Sequence, residues 1–186
     1  MERPRVPPGQ HVVSRMPILD LGIRPDVRLD QWSLEIAGRV DKPVTLSWVA
    51  FQNLPHVERI WDFSCVTGWT KLDVHWGGVL FSEIINLVQP KPGVTAVIFE
   101  SRDGYSTNVV YQEIAGQEML LADQWEGQPL AVERGGPVRG VIPWLYGWKS
   151  AKFIERIRFE PVDEPGYWET RGYNNHGDPW KEERFP

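Results

Sequence analysis

Cys65 is the one cysteine of the chain, and it sits in the stretch WDFSCVTGW at residues 61–69. Three chemistries are open to it. Cysteine packs in many cores as a small, inert hydrophobe. As a nucleophile it needs a base within reach, usually histidine. As a thiolate it ligates soft transition metals, and it must lose its proton to do so. A second group is cationic. Arg139, Lys149 and Lys152 fall within GGPVRGVIPWLYGWKSAK, residues 135–152, a mainly apolar segment rich in glycine and proline. Arginine in such a place suits a bidentate anion, phosphate or carboxylate, and Ser150 with the amides after Gly147 can add donors. The competing reading pairs these cations with acidic side chains, or lets the lysines reach solvent. The histidines, His11, His56, His75 and His176, show no i, i+4 pair and read as isolated residues rather than metal ligands. No GxSxG, HExxH, Walker A or GxGxxG string occurs, so the common hydrolase, metalloprotease and nucleotide motifs are absent. Glu182 and Glu183 read as a solvated face, not a catalytic pair.

The elements that must position these groups are short. Seventeen glycines and sixteen prolines are spread along the chain, which favours many turns over a helical bundle. Residues 1–30 read as an extended arm. Trp32, Leu34 and Ile36 alternate with polar or small residues in a half-buried strand that Gly38 ends. Ser47 can cap a short helix through Leu54, stopped by Pro55. Residues 57–64 and 70–76 form strands around a turn at Gly68. Ser82 can cap a second helix with Ile84, Ile85 and Val88 on one face, ended by Pro90 and Pro92. Strands follow at 95–100, 106–110 and 118–123, with a turn at Asp103-Gly104. Residues 128–143 are loop and strand around Gly135-Gly136-Pro137; 152–160 is a strand; the tail from Pro161 is polar, aromatic and turn-rich. The expected fold is a single mixed α+β domain over 1–186, with short strands and few short helices.

Composition narrows the function classes. At 186 residues the chain is about one domain long; its hydrophobic share of 41% and charged share of 24% are those of an ordinary globular protein. A net charge of −5 argues against nucleic acid as a partner. One cysteine excludes an intramolecular disulfide and any multi-cysteine zinc or iron–sulfur site. The longest apolar runs fall far short of the ~20 residues of a membrane span. Met1 is followed by Glu2, Arg3 and prolines with no apolar h-region, so the expected location is the cytoplasm, or the chain is a form with its leader removed.

Taken together and in order, CVTGW, DGYSTN, MLLADQWEGQPL, GGPVRGVIPWLYGWKSAKFI and PGYWETRGYNNHGDPW resemble the molybdopterin-binding domain of the sulfite oxidase family, in its small, haem-free bacterial branch. The resemblance runs from about residue 8 to the end. It implies a mixed α+β fold holding molybdenum with molybdopterin and no haem. Cys65 would be the metal ligand, with the pterin dithiolene supplying two further sulfurs. Arg139, Ser150, Ala151 and Lys152 match the stretches that contact the pterin phosphate. Ser101 matches a contact at a strand end, and Ser14, Arg15 and Met16 fall near an N-terminal loop contact. Tyr105 matches the active-site tyrosine. Two positions depart from the family: Arg134 stands where histidine or asparagine is usual, and the arginine that follows the ligand cysteine in sulfite oxidases is missing, with Lys71 the nearest cation.

The expected function is therefore two-electron oxo-transfer at molybdenum, sulfite-oxidase-like, on a small oxyanion or an S-/N-oxide, with electrons exchanged through a separate electron-transfer protein. The alternatives are reduction of S-oxides or N-oxides with the same cofactor, and a non-catalytic binding domain that keeps the fold. Of the ten tryptophans, Trp61, Trp69, Trp144 and Trp148 are expected to wall the cofactor pocket.

Overall fold

The computed structural model describes residues 3–186. Eleven strands form two sheets. Strands β1 (His11–Val12), β4 (His56–Cys65), β5 (Trp69–Leu80), β8 (Leu120–Trp125), β9 (Gln128–Pro129) and β10 (Arg139–Val141) make the first; β2 (Ser33–Gly38), β3 (Val44–Ser47), β6 (Ala96–Ser101), β7 (Ser106–Val110) and β11 (Ile154–Glu160) make the second. The second sheet runs in the order β3-β2-β11-β6-β7, with β11 parallel to β2 and antiparallel to β6. Its alternating residues Leu34, Ile36, Val97, Phe99, Ile157 and Phe159 are all buried, the period-2 pattern read from the sequence.

Three short helices are present: α1 (Trp48–Gln52), α2 (Phe81–Val88) and α3 (Tyr111–Gly116). Helix α1 begins as expected, with the Ser47 hydroxyl accepting the Ala50 amide at 3.2 Å. Helix α2 does not use Ser82. It starts one residue earlier, and the Phe81 amide donates to the Met119 carbonyl at 2.9 Å. A strand carbonyl thus satisfies the orphan amide and no side-chain cap is needed. Phe81, Ile84 and Val88 are its fully buried face. Helix α3 was not expected from the sequence, because six residues are too few for a helical period to show; Ile114 anchors it.

The β4–β5 hairpin is the frame of the site. Its strands run ten and twelve residues, longer than the spans read from the sequence. Strand β5 continues through Gly77 and Gly78, where it pairs with β8 across a register shift. A Cβ at Gly78 would lie 2.2 Å from the Leu121 carbonyl oxygen, so only glycine allows this approach. A second core cluster packs on this sheet and includes Phe63, Cys65, Trp69, Trp76, Leu120 and Val141. Among the described residues, no helix is long and apolar enough to cross a membrane.

Candidate active site

Cys65 is the last residue of β4 and pairs with Trp69 across the hairpin turn. Gly68, at φ +94° in that turn, returns its amide to the Cys65 carbonyl at 3.0 Å. The Thr67 hydroxyl donates to Cys65 Sγ at 3.2 Å. The arm braces this turn from outside: β1 pairs in parallel with Trp69 and Thr70, and Gln10 Nε2 donates to the Cys65 carbonyl at 3.2 Å. The thiol is buried but lines a cavity of about 350 Å³, a volume suited to a small organic ligand.

The opposite elements bring cations to the same cavity. Arg134, Arg139 and Lys152 line it with Ser150 and Ala151. Arg139 is 3% exposed. It donates to the carbonyls of Gly140 (3.2 Å), Arg134 (2.9 Å) and Ser150 (3.0 Å), and so ties β10 to the segments that carry Arg134 and Ser150. Arg134 lies over the Trp125 ring at 4.4 Å and donates to the Met16 carbonyl at 2.9 Å, which holds the 16–21 strap across the cavity. Lys152 Nζ donates to the Glu133 carbonyl at 2.9 Å. Its stem packs on Gly135, where φ is +102° and a Cβ would lie 2.6 Å from Lys152 Cγ, so a side chain there is excluded.

Among the described residues, none of these three cations forms an ion pair with a carboxylate. Burial pushes Lys152 down to about 8, with Arg139 and Arg134 adding to the effect and Asp20 opposing it. Arg139 is lowered in the same way, by burial and by Arg134, yet a guanidinium keeps its charge. Two buried arginines and a part-buried lysine, none ion-paired among the described residues, in one cavity with a free thiol, fit a ligand that carries a phosphate and a soft metal. The donor set suits molybdopterin with molybdenum.

Other expected residues are placed as follows. Met16 and Tyr105 line the cavity. Ser101, Ser14 and Arg15 do not: Ser101 is the buried last residue of β6, with its hydroxyl unpartnered, and Ser14 and Arg15 are exposed. Lys71 lies outside the wall, with its ammonium donating to the Leu72 carbonyl at 2.9 Å. Lys149 leaves the anion cluster altogether; it is paired with Glu169 in the interior. Trp69 and Trp148 wall the cavity, but Trp61 and Trp144 line a separate cleft with Arg3, Gln117 and Glu118. The tail supplies wall residues that sequence reasoning missed, Trp168 and Tyr173; the aromatic run GYWETRGY was their signal. Asp20 and Asp103 also line the cavity. His176 is not isolated: it stands between Glu183 (2.6 Å) and Glu113 (2.9 Å).

The family model for the oxidoreductase molybdopterin-binding domain matches residues 21–168. The chain is 40% identical to the uncharacterised oxidoreductase YuiH of Bacillus subtilis, over 97% of this chain and 92% of that protein. It is 31% identical to the catalytic subunit of the protein-methionine-sulfoxide reductase MsrP of Ralstonia nicotianae, over 81% of this chain and 50% of that one. For the MsrP subunit of Campylobacter jejuni the identity is 29%, over 78% and 54%. The chain thus spans about half the length of these MsrP relatives. The sulfane dehydrogenase SoxCD of Paracoccus pantotrophus shares the fold, with a TM-score of 0.67 at 18% identity, over 75% of this chain and 40% of that one.

Proposed function

Because the chain belongs to the oxidoreductase molybdopterin-binding domain family, we propose that it holds a molybdenum–molybdopterin centre and reduces S-oxides or N-oxides with electrons from a separate carrier. A molybdenum centre bound there supplies two-electron oxo-transfer. The balance is one S-oxide, two electrons and two protons in, one thioether and one water out. Cys65 is the thiolate ligand, and Thr67 donates to its sulfur. Arg134, Arg139 and Lys152 offset the phosphate charge. Tyr105, at the cavity wall, is the proton donor to the substrate oxygen.

The observation that carries the direction is the setting of the thiol. Around Cys65 the wall is Phe63, Val66, Thr67 and Trp69, and Lys71, the cation closest to it in sequence, stands outside. A doubly charged sulfite placed against that wall would lose its hydration, with Arg139, 5.3 Å from the Phe63 ring, already engaged by three backbone carbonyls; a neutral sulfoxide loses less. The names of the MsrP relatives support the same reading. A second reading, oxidation of an anionic sulfur compound, draws on the cavity's excess of Arg134, Arg139 and Lys152 over Asp20 and Asp103. Two assays on one preparation separate them. Methionine sulfoxide with reduced viologen should turn over, and sulfite with ferricyanide should not; the reverse result would overturn the proposed direction.

A further inference from the structure

Behind the Tyr105 wall lies a buried set of polar side chains that the proposed function leaves without a role. Glu169 projects inward from the tail, with its side chain 1% exposed and that of its partner Lys149 0% exposed. One carboxylate oxygen, Oε1, receives the Lys149 ammonium at 2.5 Å, the Trp148 indole N–H at 2.9 Å and the Thr107 hydroxyl at 2.9 Å. The other, Oε2, is buried with no hydrogen-bond partner among the described residues. Lys149 also donates to Asn108, to its carbonyl at 3.0 Å and to Oδ1 at 2.9 Å. A buried ion pair is a weak source of stability, because desolvating two charges offsets much of their attraction. Anchoring the tail could be done at less cost by apolar side chains.

The donors that converge on Glu169 come from the two segments that hold Tyr105. The Tyr105 hydroxyl donates to the Trp148 carbonyl at 2.5 Å. Thr107, two residues on along the chain, donates its hydroxyl to Glu169. Tyr105 and Trp148 both line the cavity, whereas Glu169 does not. We propose that Glu169 is a positioning residue for Tyr105: by holding the Trp148 indole and the Thr107 hydroxyl on one carboxylate oxygen, it fixes the Trp148 carbonyl that receives the phenol and so sets the phenol at the cavity wall. The inference rests on the reductive reading, in which Tyr105 gives a proton to the substrate oxygen.

Burial raises the Tyr105 pKa most, and the Glu169 carboxylate comes next; Asp103 in its own turn and Tyr173 of the tail add to it. Lys149 faces Glu169, with Asp163 beyond it.

Glu169→Gln keeps the shape and an acceptor oxygen but removes the charge. The test uses cofactor-free protein carrying 13Cζ-tyrosine, with the Tyr105 resonance assigned by its loss in Tyr105→Phe. The Tyr105 13Cζ resonance at pH 7 should shift in Glu169→Gln, because the hydrogen bond from the phenol to the Trp148 carbonyl is loosened. Thr107→Val removes a second donor from Glu169, so the resonance should move in the same direction, and Thr107→Ser should restore it. In the molybdenum-loaded protein, Glu169→Gln should lower kcat for methionine sulfoxide by about tenfold with KM unchanged. A Tyr105 resonance that stays put in Glu169→Gln overturns the proposal; should that variant not fold, an unmoved resonance in Thr107→Val does so. If the resonances move as expected but loaded wild-type protein shows no sulfoxide turnover, the reductive reading fails while the hold of Glu169 on Tyr105 stands.

Discussion

At the scale of single residues, the site is defined by what its charges lack. Lys152 is a part-buried cation with a backbone carbonyl for a partner and two arginines for neighbours. Its folded pKa, about 8, lies below the unfolded value of ~10.4. The unfolded chain therefore binds more protons between these two values, and stability rises with pH across that window. Thermal denaturation of cofactor-free protein from pH 7 to 10 should show this rise in wild type and not in Lys152→Met. Inorganic phosphate should raise Tm at pH 7 more than at pH 9.5, because the anion favours the charged lysine. A phosphate effect that is equal at both pH values, or a rise that survives in Lys152→Met, would assign the pH dependence to another group.

At the scale of elements, the tail acts as a wall rather than an appendage. It delivers Trp168 and Tyr173 to the cavity and Glu169 to the interior, and it is pinned to α3 by His176. Burial lowers the His176 pKa, but its hydrogen bonds to Glu183 and Glu113 outweigh that, and the net shift is upward. A raised folded pKa means that the stabilisation is fully present below the unfolded value of ~6.5 and is lost as pH rises through the folded value. The group is partly exposed, so the effect is screened and modest. Limited proteolysis of the tail should accelerate in wild type as pH rises through this range. In His176→Gln the tail should be cut readily at all pH values, and the pH step should vanish. Equal protection in wild type and variant at pH 6 would show that the clasp does not hold the tail.

At the scale of the whole molecule, the two sheets and the residues at their ends were legible in the sequence to different degrees. Alternation at Leu34–Ile36 and Ile157–Phe159 revealed the second sheet because each strand buries one face. Cys65 stood out only when CVTGW was read in order with the later motifs, since a lone thiol is by itself most often inert, and Arg139 and Lys152 because cations are rare in apolar, glycine-rich segments. Lys149 was misread because its partner, Glu169, is twenty residues away in a tail with no strong periodicity. Trp61 and Trp144 were misplaced for a similar reason: closeness in sequence to a site residue does not say which side of a strand a side chain occupies. Helix α3 and the start of α2 depended on tertiary hydrogen bonds, from Tyr111 to Thr95 and from Phe81 to Met119, which no local pattern encodes. The family resemblance joined motifs that periodicity alone left scattered, and the structure gathers most of its expected contacts into one cavity, leaving Ser101 and Arg15 outside.

The central claim is that Cys65 binds molybdenum in a cavity whose cations hold the pterin phosphate. Elemental analysis of protein purified from a host that makes molybdopterin tests it most directly, with wild type and Cys65→Ser compared in parallel. About one molybdenum per wild-type chain, with a sharp loss in Cys65→Ser while the folded yield is kept, is the predicted result. Wild-type protein free of molybdenum, or Cys65→Ser retaining as much metal as wild type, would contradict it.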